Sequence, residues 1–547
     1  MTVTNAKLSN LVLAVQSNWK RRPRYRAPLF LWGAAALVSA LAMLPLGYLV
    51  LRAAGAGYSK VWDILLRPRT HEIFLGSAGL AGTVTLAAVV IGVLLAWLTV
   101  RTDLPGRKFW AVATVLPLVI PSYVGAFTLI SAFGPRGFVQ GWLEPLGVER
   151  LPSIYGFPGA LLALTLFTYP YILLSVRAGL RGLDPSLEDA ARSLGRSSFQ
   201  TFREITWPHL RPSVLAGALL VALYTLSDFG AVSMLRFDSF TRAIYMQYRA
   251  SFDRSTAAVL ALLLVGLTLI ILVLEHRMRG RARYYRSSSG TVRPCPPVKL
   301  GRWRWPALAF CALIVLLGLV TPLLVIGFWL VRGINVGEAL QFRPDIVFNS
   351  LLGSGLAGFV AILAAIPVTI LAVRFPGRVS RWLERGAYIG YALPGIVIAL
   401  SLVFFGANFA LFLYQTLFIL VFAYVVRFLP QAVGSTRASL LQVSPRLEEA
   451  ARNLGRTPIQ ALSSITVPLI RPGLLTGLAL VFLTAMKELP ATLILGPTDF
   501  STMATRIWNA STEAFFAQAS VPALLLVLVS AVAVWLILSQ EERKASR

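Results

Sequence analysis

Two acidic residues, Asp228 and Glu488, lie within long apolar stretches of the chain. A charged side chain is costly in such surroundings, and an acid found there predicts a functional site by default. Carboxylate oxygens are the ligands that hard cations prefer, and the offset of 488 − 228 = 260 residues relates the two positions. The two carboxylates are therefore interpreted as facing one route for a cation from both sides. The competing interpretation is structural, with each acid paired to Lys487 or capping a helix break beside Gly230 or Pro490.

A longer pattern occurs twice at the same offset. The first copy reads Asp-Pro-Ser-Leu-Glu-Asp-Ala-Ala-Arg-Ser-Leu-Gly over residues 184–195, and the second reads Ser-Pro-Arg-Leu-Glu-Glu-Ala-Ala-Arg-Asn-Leu-Gly over 444–455. The match continues to Pro208 and Pro468, with 455 − 195 = 260 and 468 − 208 = 260. A fixed offset over a whole stretch indicates that the chain contains a duplicated unit.

Each copy predicts a short helix, a turn and a second short helix. Asp184 and Ser444 are N-cap residues, and the proline that follows each of them suits a first helical position. Gly195 and Gly455 predict the positive φ that ends the first helix. We expect the second helix to end at the proline that closes each copy. Elements this short are unstable alone, so they are expected to pack on another surface.

The composition places both patterns in a membrane protein. The chain has 547 residues, of which 56% are hydrophobic and only 14% charged, as in polytopic membrane proteins. The net charge of +28 arises from basic residues between the apolar runs, which is typical of cytoplasmic flanks and argues against a nucleic-acid partner. The histidines are scattered, and Cys295 and Cys311 are too few for a disulfide framework. We find no nucleotide-binding loop or nucleophile elbow, so no catalytic residue, metal site or enzyme activity is predicted.

Apolar runs of bilayer length predict an all-α polytopic fold with about twelve spans. The predicted spans are 29–50, 76–100, 109–133, 158–176, 213–235, 255–274, 306–331, 350–373, 386–406, 407–426, 473–497 and 519–538. The last four include a hairpin with a tight turn near Gly406 and Asn408. The distribution of basic residues predicts that both termini and both repeated stretches are cytoplasmic, so the two six-helix halves are parallel.

The same reasoning divides the chain into five parts. They are a basic cytoplasmic tail (1–28), a first half (29–274) with the repeated stretch 184–212, a cytoplasmic linker (275–305), a second half (306–538) with the stretch 444–472, and a tail (539–547). The linker is rich in arginine, serine and proline, which is typical of a flexible joint.

The repeated stretch resembles the EAA loop of membrane subunits of binding-protein-dependent ATP-binding cassette importers. That loop reads Glu-Ala-Ala, three residues, Gly, nine residues, Ile, one residue, Leu-Pro. The departures here are Asp189 for the glutamate, and Trp207 and Val467 for the leucine. The resemblance implies that the ATPase-coupling residues are Glu188, Asp189, Ala190, Ala191, Gly195, Ile205, Pro208, Glu448, Glu449, Ala450, Ala451, Gly455, Ile465 and Pro468. Without the resemblance, each copy would be interpreted as a pair of ordinary interfacial helices.

This resemblance also implies the fold and the partners. The fold is that of a type I importer permease, embedded in the lipid bilayer of a bacterial inner membrane. The partners are two copies of a separate ATPase subunit, which grip the two loops, and a periplasmic substrate-binding protein. ATP is used by the ATPase subunit, and this chain binds no cofactor of its own.

Segments near the two acids resemble fused two-half permeases of ferric iron importers. They are Ser-Asp-Phe-Gly-Ala-Val from Ser227, Glu-Leu-Pro-Ala-Thr-Leu-Ile-Leu-Gly-Pro from Glu488, and Met-Ala-Thr-Arg-Ile-Trp from Met503. Asp228 and Glu488 then belong to the translocation pathway. Thiamine and aminoethylphosphonate permeases have a similar layout and remain alternatives. From another class, a self-contained secondary transporter would fit twelve spans but would leave the repeated loops unexplained, and a channel would need a filter-like loop.

Overall fold

A computed structural model describes residues 27–135, 137–148, 150–250, 255–278, 297–337 and 343–545, without the side chains of residue 276 and of 533–545. Within these ranges the chain consists of α-helices joined by short 3₁₀ and π turns, with one isolated β-bridge between Thr102 and Val298. The all-α prediction is confirmed. The predicted basic tail, most of the linker and Cys295 lie outside the described residues.

The helices follow one another with short connections. The first half contains α1 (Leu29–Ala54), α2 (Tyr58–Leu66), α3 (Pro68–Arg101), α4 (Arg107–Ala113), α5 (Ser122–Phe133), α6 (Phe138–Leu143), α7 (Phe157–Gly182), α8 (Pro185–Ser193), α9 (Ser198–Thr201), α10 (Trp207–Ser227), α11 (Gly230–Met234), α12 (Phe240–Ala250) and α13 (Ser255–Met278). The second half contains α14 (Arg304–Val315), α15 (Thr321–Asn335), α16 (Pro344–Arg374), α17 (Arg378–Ala387), α18 (Gly395–Phe409), α19 (Leu417–Leu440), α20 (Pro445–Asn453), α21 (Pro458–Ala461), α22 (Val467–Met486), α23 (Pro490–Leu495), α24 (Met503–Thr512) and α25 (Phe516–Ala545).

The described residues supply nine helices that are long and apolar enough to cross a membrane, and eleven if each of two bent pairs is one span. The bent pairs are Arg107–Val119 with Ser122–Leu146, at 98°, and Arg378–Tyr391 with Gly395–Phe409, at 104°. The twelfth predicted span corresponds to α25, whose described apolar part is Phe516–Val532. The chain is thus a multi-pass membrane protein, and each predicted span has a helical counterpart.

Four predicted spans are interrupted in the structure, which corrects their description as continuous. The helix before Asp228 ends at Ser227, and the one before Glu488 ends at Met486, each followed by a short helix. Asp228 is therefore the first residue after a helix, with extended backbone (φ −67°, ψ 130°), rather than a residue inside one. The other two interruptions are the 98° bend at 119–122 and the 104° bend at 391–395. Hydropathy reports only the apolar character of a window, so none of these breaks changes it.

The prolines that were expected to close the repeated stretches do not end a helix. A π turn at Phe202–Thr206 leads directly into α10, and a second at Leu462–Thr466 leads into α22. The ring of Pro208 would clash with a carbonyl of a regular helix. The wider π turn, closed by the Trp207 N–H to the Phe202 carbonyl, accommodates it and lets the helix continue.

The turn of the predicted hairpin also lies later than expected. α18 continues through Phe409, and Asn408 bonds back to the Phe404 carbonyl at 2.7 Å within that helix. The connection to α19 occupies residues 410–416.

Two compact units make up the structure, and they do not follow the two halves of the sequence. The first unit takes residues up to Leu44, Gly355–Gly390 and Val425–Phe482, and the second takes Pro45–Ser354, Tyr391–Tyr424 and the residues from Leu483 onward. The repeated stretch 184–212 lies in the second unit, whereas the stretch 444–472 lies in the first. Asp228 and Glu488 both lie in the second unit.

Candidate functional site

The first helix of each repeated stretch begins and ends as its sequence predicts. The Asp184 carboxylate accepts a bond from the Ser186 N–H at 3.0 Å, and the Ser444 hydroxyl accepts one from Arg446 at 3.4 Å. φ is +83° at Gly195 and +87° at Gly455. No atom outside the turn lies within 4 Å of a Cβ built at either glycine. The positive φ alone therefore requires glycine at these positions.

The second helix of each stretch has the same cap in both copies. Ser197 and Gln200 form a capping box, in which the Ser197 N–H donates to Gln200 Oε1 at 3.0 Å and the Gln200 N–H donates to Ser197 Oγ at 3.3 Å. Thr457 and Gln460 repeat the arrangement with the same two distances. In both copies the glutamine three residues after the cap completes the box, which the repeated pattern alone does not reveal. The two loops are thus built to one local design.

An apolar and acidic surface lies on the outside of each loop. We define the first coupling face as Asp189, Ala190, Leu194 and Phe199, and the second as Glu449, Ala450, Leu454 and Ile459, all of which are exposed. The leucines are 83% and 85% exposed, and Phe199 and Ile459 are 72% and 56% exposed. Large apolar side chains that remain this exposed next to a turn indicate a surface that another protein covers.

The remaining residues of the predicted coupling set lie deeper. Ala191 and Ala451 are buried, and Ile205, Pro208, Ile465 and Pro468 are half-buried. Glu188 and Glu448 point away from the coupling faces and are only 5% and 7% exposed. Placed in this way, the two glutamates contact their own chain rather than a partner.

The first loop differs from the second in an aromatic stack. Trp207 packs on Phe202, with ring centroids 6.4 Å apart, and Phe202 meets Trp97 of α3 edge-on at 5.4 Å. The second loop has Val467 and the buried Leu462 at the equivalent positions. The departure of Trp207 from the loop pattern is therefore taken up by packing within the second unit.

This asymmetry gives a prediction about the two acids of the coupling faces. If the loops dock on identical subunits, Asp189→Ala and Glu449→Ala should reduce stimulated ATP hydrolysis of the reconstituted complex by unequal amounts. The longer glutamate reaches further from its helix, and we expect the larger loss at Glu449. ATPase assays of the two single variants at equal protein levels measure the difference. Equal losses would show that the difference in length has no mechanical consequence.

Asp228 and Glu488 each cap the short helix that follows a break. Asp228 is 8% exposed; Ser122 donates to one carboxylate oxygen, and the other accepts from the Ala231 N–H at 2.9 Å. Glu488 is 6% exposed and accepts from the Ala491 N–H at 3.5 Å. These bonds agree with the structural interpretation, in which each acid caps a helix break. The same carboxylates can also face a route for a cation.

The helix breaks near residues 228 and 488 both contact the break at 118–123. Lys487 donates to the Leu118 carbonyl at 3.2 Å, and Ser122 reaches Asp228 as described. Gly230 lies so close to Tyr123 that an added Cβ would be 2.6 Å from the Tyr123 Cβ. Irregular backbone at membrane depth is tolerated where it is buried in protein or lines a cavity. The breaks near 120, 228 and 488 therefore mark one candidate translocation site in the second unit.

Two tyrosine hydroxyls also lie at this site, and the spacing of the sequence does not point to them. The Tyr123 hydroxyl is buried, lies within electrostatic range of Glu488 and Tyr424, and has no hydrogen-bond partner among the residues that the structure describes. The Tyr424 and Thr492 hydroxyls lie 2.6 Å apart, and Thr492 donates to the Glu488 carbonyl at 2.5 Å. Tyrosines in apolar runs carry no charge signal, so spacing alone could not reveal them. Over the described part of the chain, histidine, cysteine and acidic residues form no metal-binding group of three or more.

Comparison with known proteins gives matches over both halves of the chain. A family model described as binding-protein-dependent transport system inner membrane component matches twice, over residues 88–284 and 357–545. The Fe(3+)-transport system permease protein FbpB 2 of Haemophilus influenzae is 36% identical over 94% of this chain and 98% of its own. The ferric transport system permease protein FbpB of Actinobacillus pleuropneumoniae is 25% identical over 84% of this chain and 68% of its own. The sulfate transport system permease protein CysT of Escherichia coli is 26% identical over 45% of this chain and 89% of its own.

Proposed function

Because the chain belongs to the family of binding-protein-dependent transport system inner membrane components, we propose that it is the permease subunit of an ATP-driven importer of ferric iron. The observation that supports ferric iron as the cargo is the 36% identity to an Fe(3+)-transport permease over 94% of the chain. The double match to the family model supports two permease halves fused in one chain. The protein is a translocation subunit, and ATP is hydrolysed by another subunit.

Each coupling face takes one copy of an ATPase subunit, so two copies bind one permease. The exposed leucines and neighbouring apolar residues provide buried area for such a contact, and the acids at its edge give it charge selectivity. A substrate-binding protein delivers the cargo on the opposite side of the bacterial inner membrane, and both termini of the permease lie in the cytoplasm. The chain holds no cofactor of its own in this scheme.

The candidate translocation site suits a hard cation. Asp228, Glu488 and the hydroxyls of Tyr123 and Tyr424 are oxygen groups gathered in one unit, and ferric iron favours oxygen ligands. Lys487 is the neighbouring feature that favours an anion, and the sulfate permease relative is consistent with anionic cargo in this family. Ferric iron is preferred because the iron permeases match both halves of the chain, whereas the sulfate permease matches one half.

Transport then proceeds by alternating access. ATP binding draws the two ATPase subunits together, and the loops carry that movement into the helices that hold the candidate site. The pathway opens toward the binding protein, and hydrolysis resets it. The capped helix breaks at Asp228 and Glu488 supply backbone that can line the route without unsatisfied groups.

Uptake experiments test this function. Cells expressing the permease, its ATPase and its binding protein are expected to accumulate radioactive iron in an ATP-dependent manner, with thiamine and sulfate uptake assayed in parallel. The ATPase subunit should co-purify with the permease in detergent, which a self-contained secondary transporter would not require. Uptake of thiamine or sulfate without iron would overturn the cargo, and iron uptake without a bound ATPase would overturn the importer class.

A further inference from the structure

An arginine forms the last residue of the helix that packs beside each loop. Arg101 ends α3 and Arg374 ends α16, with side chains that are only 7% and 8% exposed. A basic residue in the last turn is favoured by the helix dipole. The dipole alone does not explain side chains with so little exposure, because a guanidinium removed from water needs a carboxylate and hydrogen bonds to compensate it.

The buried glutamates of the loops supply that compensation. Arg101 forms an ion pair with Glu188, whose other oxygen accepts a bond from the Thr206 hydroxyl at 2.8 Å. Arg374 Nε donates to Glu448 at 2.8 Å. The same glutamate accepts from the Thr466 hydroxyl at 2.9 Å. We define the first clamp as Arg101, Glu188 and Thr206, and the second clamp as Arg374, Glu448 and Thr466.

Each clamp joins three elements at one carboxylate. The arginine belongs to a long membrane helix, the glutamate to the first helix of the loop, and the threonine to the π turn that leads into the next membrane helix. The guanidinium of Arg374 also donates to the Val443 carbonyl at 3.0 Å, which fixes the backbone just before the loop. A planar, multiply bonded guanidinium sets distance and direction together, as an apolar contact does not.

The sequence spacing shows that the two clamps do not follow from duplication at a single offset. The glutamates and threonines obey the offset of 260, since 448 − 188 = 260 and 466 − 206 = 260, but the arginines differ by 374 − 101 = 273. The ion-paired residues are 87 apart in the first half and 74 apart in the second. The same three side-chain types nevertheless meet in each unit. Both halves therefore keep this contact, although the segment between the arginine and the glutamate is 13 residues longer in the first half.

We propose that the two clamps are the rigid links through which movement of the coupling faces reaches α3 and α16. Arg101 and Arg374 are then positioning residues for energy coupling, although they touch neither cargo nor ATPase. This inference rests on the proposed importer function. A buried ion pair adds little stability compared with apolar residues of similar size, so its directional bonds are the property that such residues would not reproduce.

Paired apolar replacement separates coupling from stability. Arg101→Met with Glu188→Leu, and Arg374→Met with Glu448→Leu, remove each ion pair without leaving a lone buried charge. The variants, assembled with ATPase and binding protein in proteoliposomes, are expected to retain the ATPase subunits and hydrolyse ATP. Iron transported per ATP should fall by about tenfold or more. The control is Arg196→Gln with Glu204→Gln, an exposed pair of the first loop at 3.5 Å, which should keep the wild-type ratio.

Three results distinguish the possible failures. A wild-type iron-to-ATP ratio in the clamp variants would overturn the clamp proposal alone. Absence of iron transport by the wild-type complex would overturn the proposed function instead. If the apolar variants do not assemble, Arg101→Lys and Arg374→Lys decide the matter, because lysine keeps the charge but loses the fork geometry. A reduced ratio in the assembled lysine variants supports the clamps, and an unchanged ratio overturns them.

Discussion

Replacement of both Gly195 and Gly455 by valine is expected to abolish iron transport while the protein still inserts into the membrane. Both glycines hold a φ above +80° at the end of a loop helix. A β-branched residue forced into this region costs about 1–3 kcal/mol at each position. The surroundings are open, so the strain is relieved by moving the turn rather than by unfolding the membrane helices. The coupling faces would then lose their shape, and ATPase subunits should co-purify poorly.

Gly182→Val is a matched control for this double variant. Gly182 ends α7 just before the first loop, has open space around it and does not adopt a positive φ. We expect its transport rate to stay close to that of the wild type. Transport is measured in proteoliposomes at equal amounts of inserted protein. A well-inserted double variant with normal transport would show that the positive φ has no part in coupling.

The structure confirms the parts of the loops that depend on neighbouring residues. A cap at Asp184 or Ser444 is decided within three residues, and the turn at Gly195 or Gly455 follows from a helix that needs positive φ to end. These interactions are local, so the sequence contains all the information that they require. The duplicated unit was visible for the same reason, because one offset preserved every local signal, and the family comparison confirms it.

The interactions that join distant segments were not visible in this way. Arg101 looked like one more basic residue at a cytoplasmic flank, although it is buried on Glu188. Its relation to Arg374 was hidden by the 13-residue difference between the two sequence separations, 87 − 74. The role of Tyr123 is not visible in the sequence, because hydropathy counts the tyrosine as part of an apolar run and does not show its hydroxyl. Such contacts depend on which helices pack together, and hydropathy does not report packing.

The sequence indicates the helix breaks beside Gly230 and Pro490 only as the structural interpretation of the two acids, and it does not indicate the bend near Pro121. Pro490 follows Glu488 closely and lacks the N–H of a helix interior, and Pro121 lies at the 98° bend. The predicted spans run through both prolines because the apolar composition continues across them. An acid two residues before a proline or glycine, inside an apolar run, is the pattern that indicates a capped break.

Asp228→Asn combined with Glu488→Gln is expected to reduce iron uptake while leaving the helix breaks intact. Asparagine caps a helix as well as aspartate does, and glutamine keeps an acceptor for the Ala491 N–H. The double variant therefore removes two negative charges without removing the caps. A hydrogen bond or contact that involves a charge contributes about 1.5–3 kcal/mol, so we expect uptake to fall by about tenfold or more. Uptake of radioactive iron and the thermal stability of the purified protein are measured together.

Two further variants show which role each carboxylate has. Asp238→Asn removes a charge from the same part of the chain, but Asp238 lies at the surface beside Arg69 and Arg242, so uptake should not change. Asp228→Ala removes both charge and cap, and its melting temperature should fall below that of the Asp228→Asn variant. If the double variant takes up iron at the wild-type rate, the carboxylates only hold the broken helices and the pathway role is wrong. If uptake falls and stability does not, a structural role alone cannot explain the loss, because the caps remain while the charges are gone.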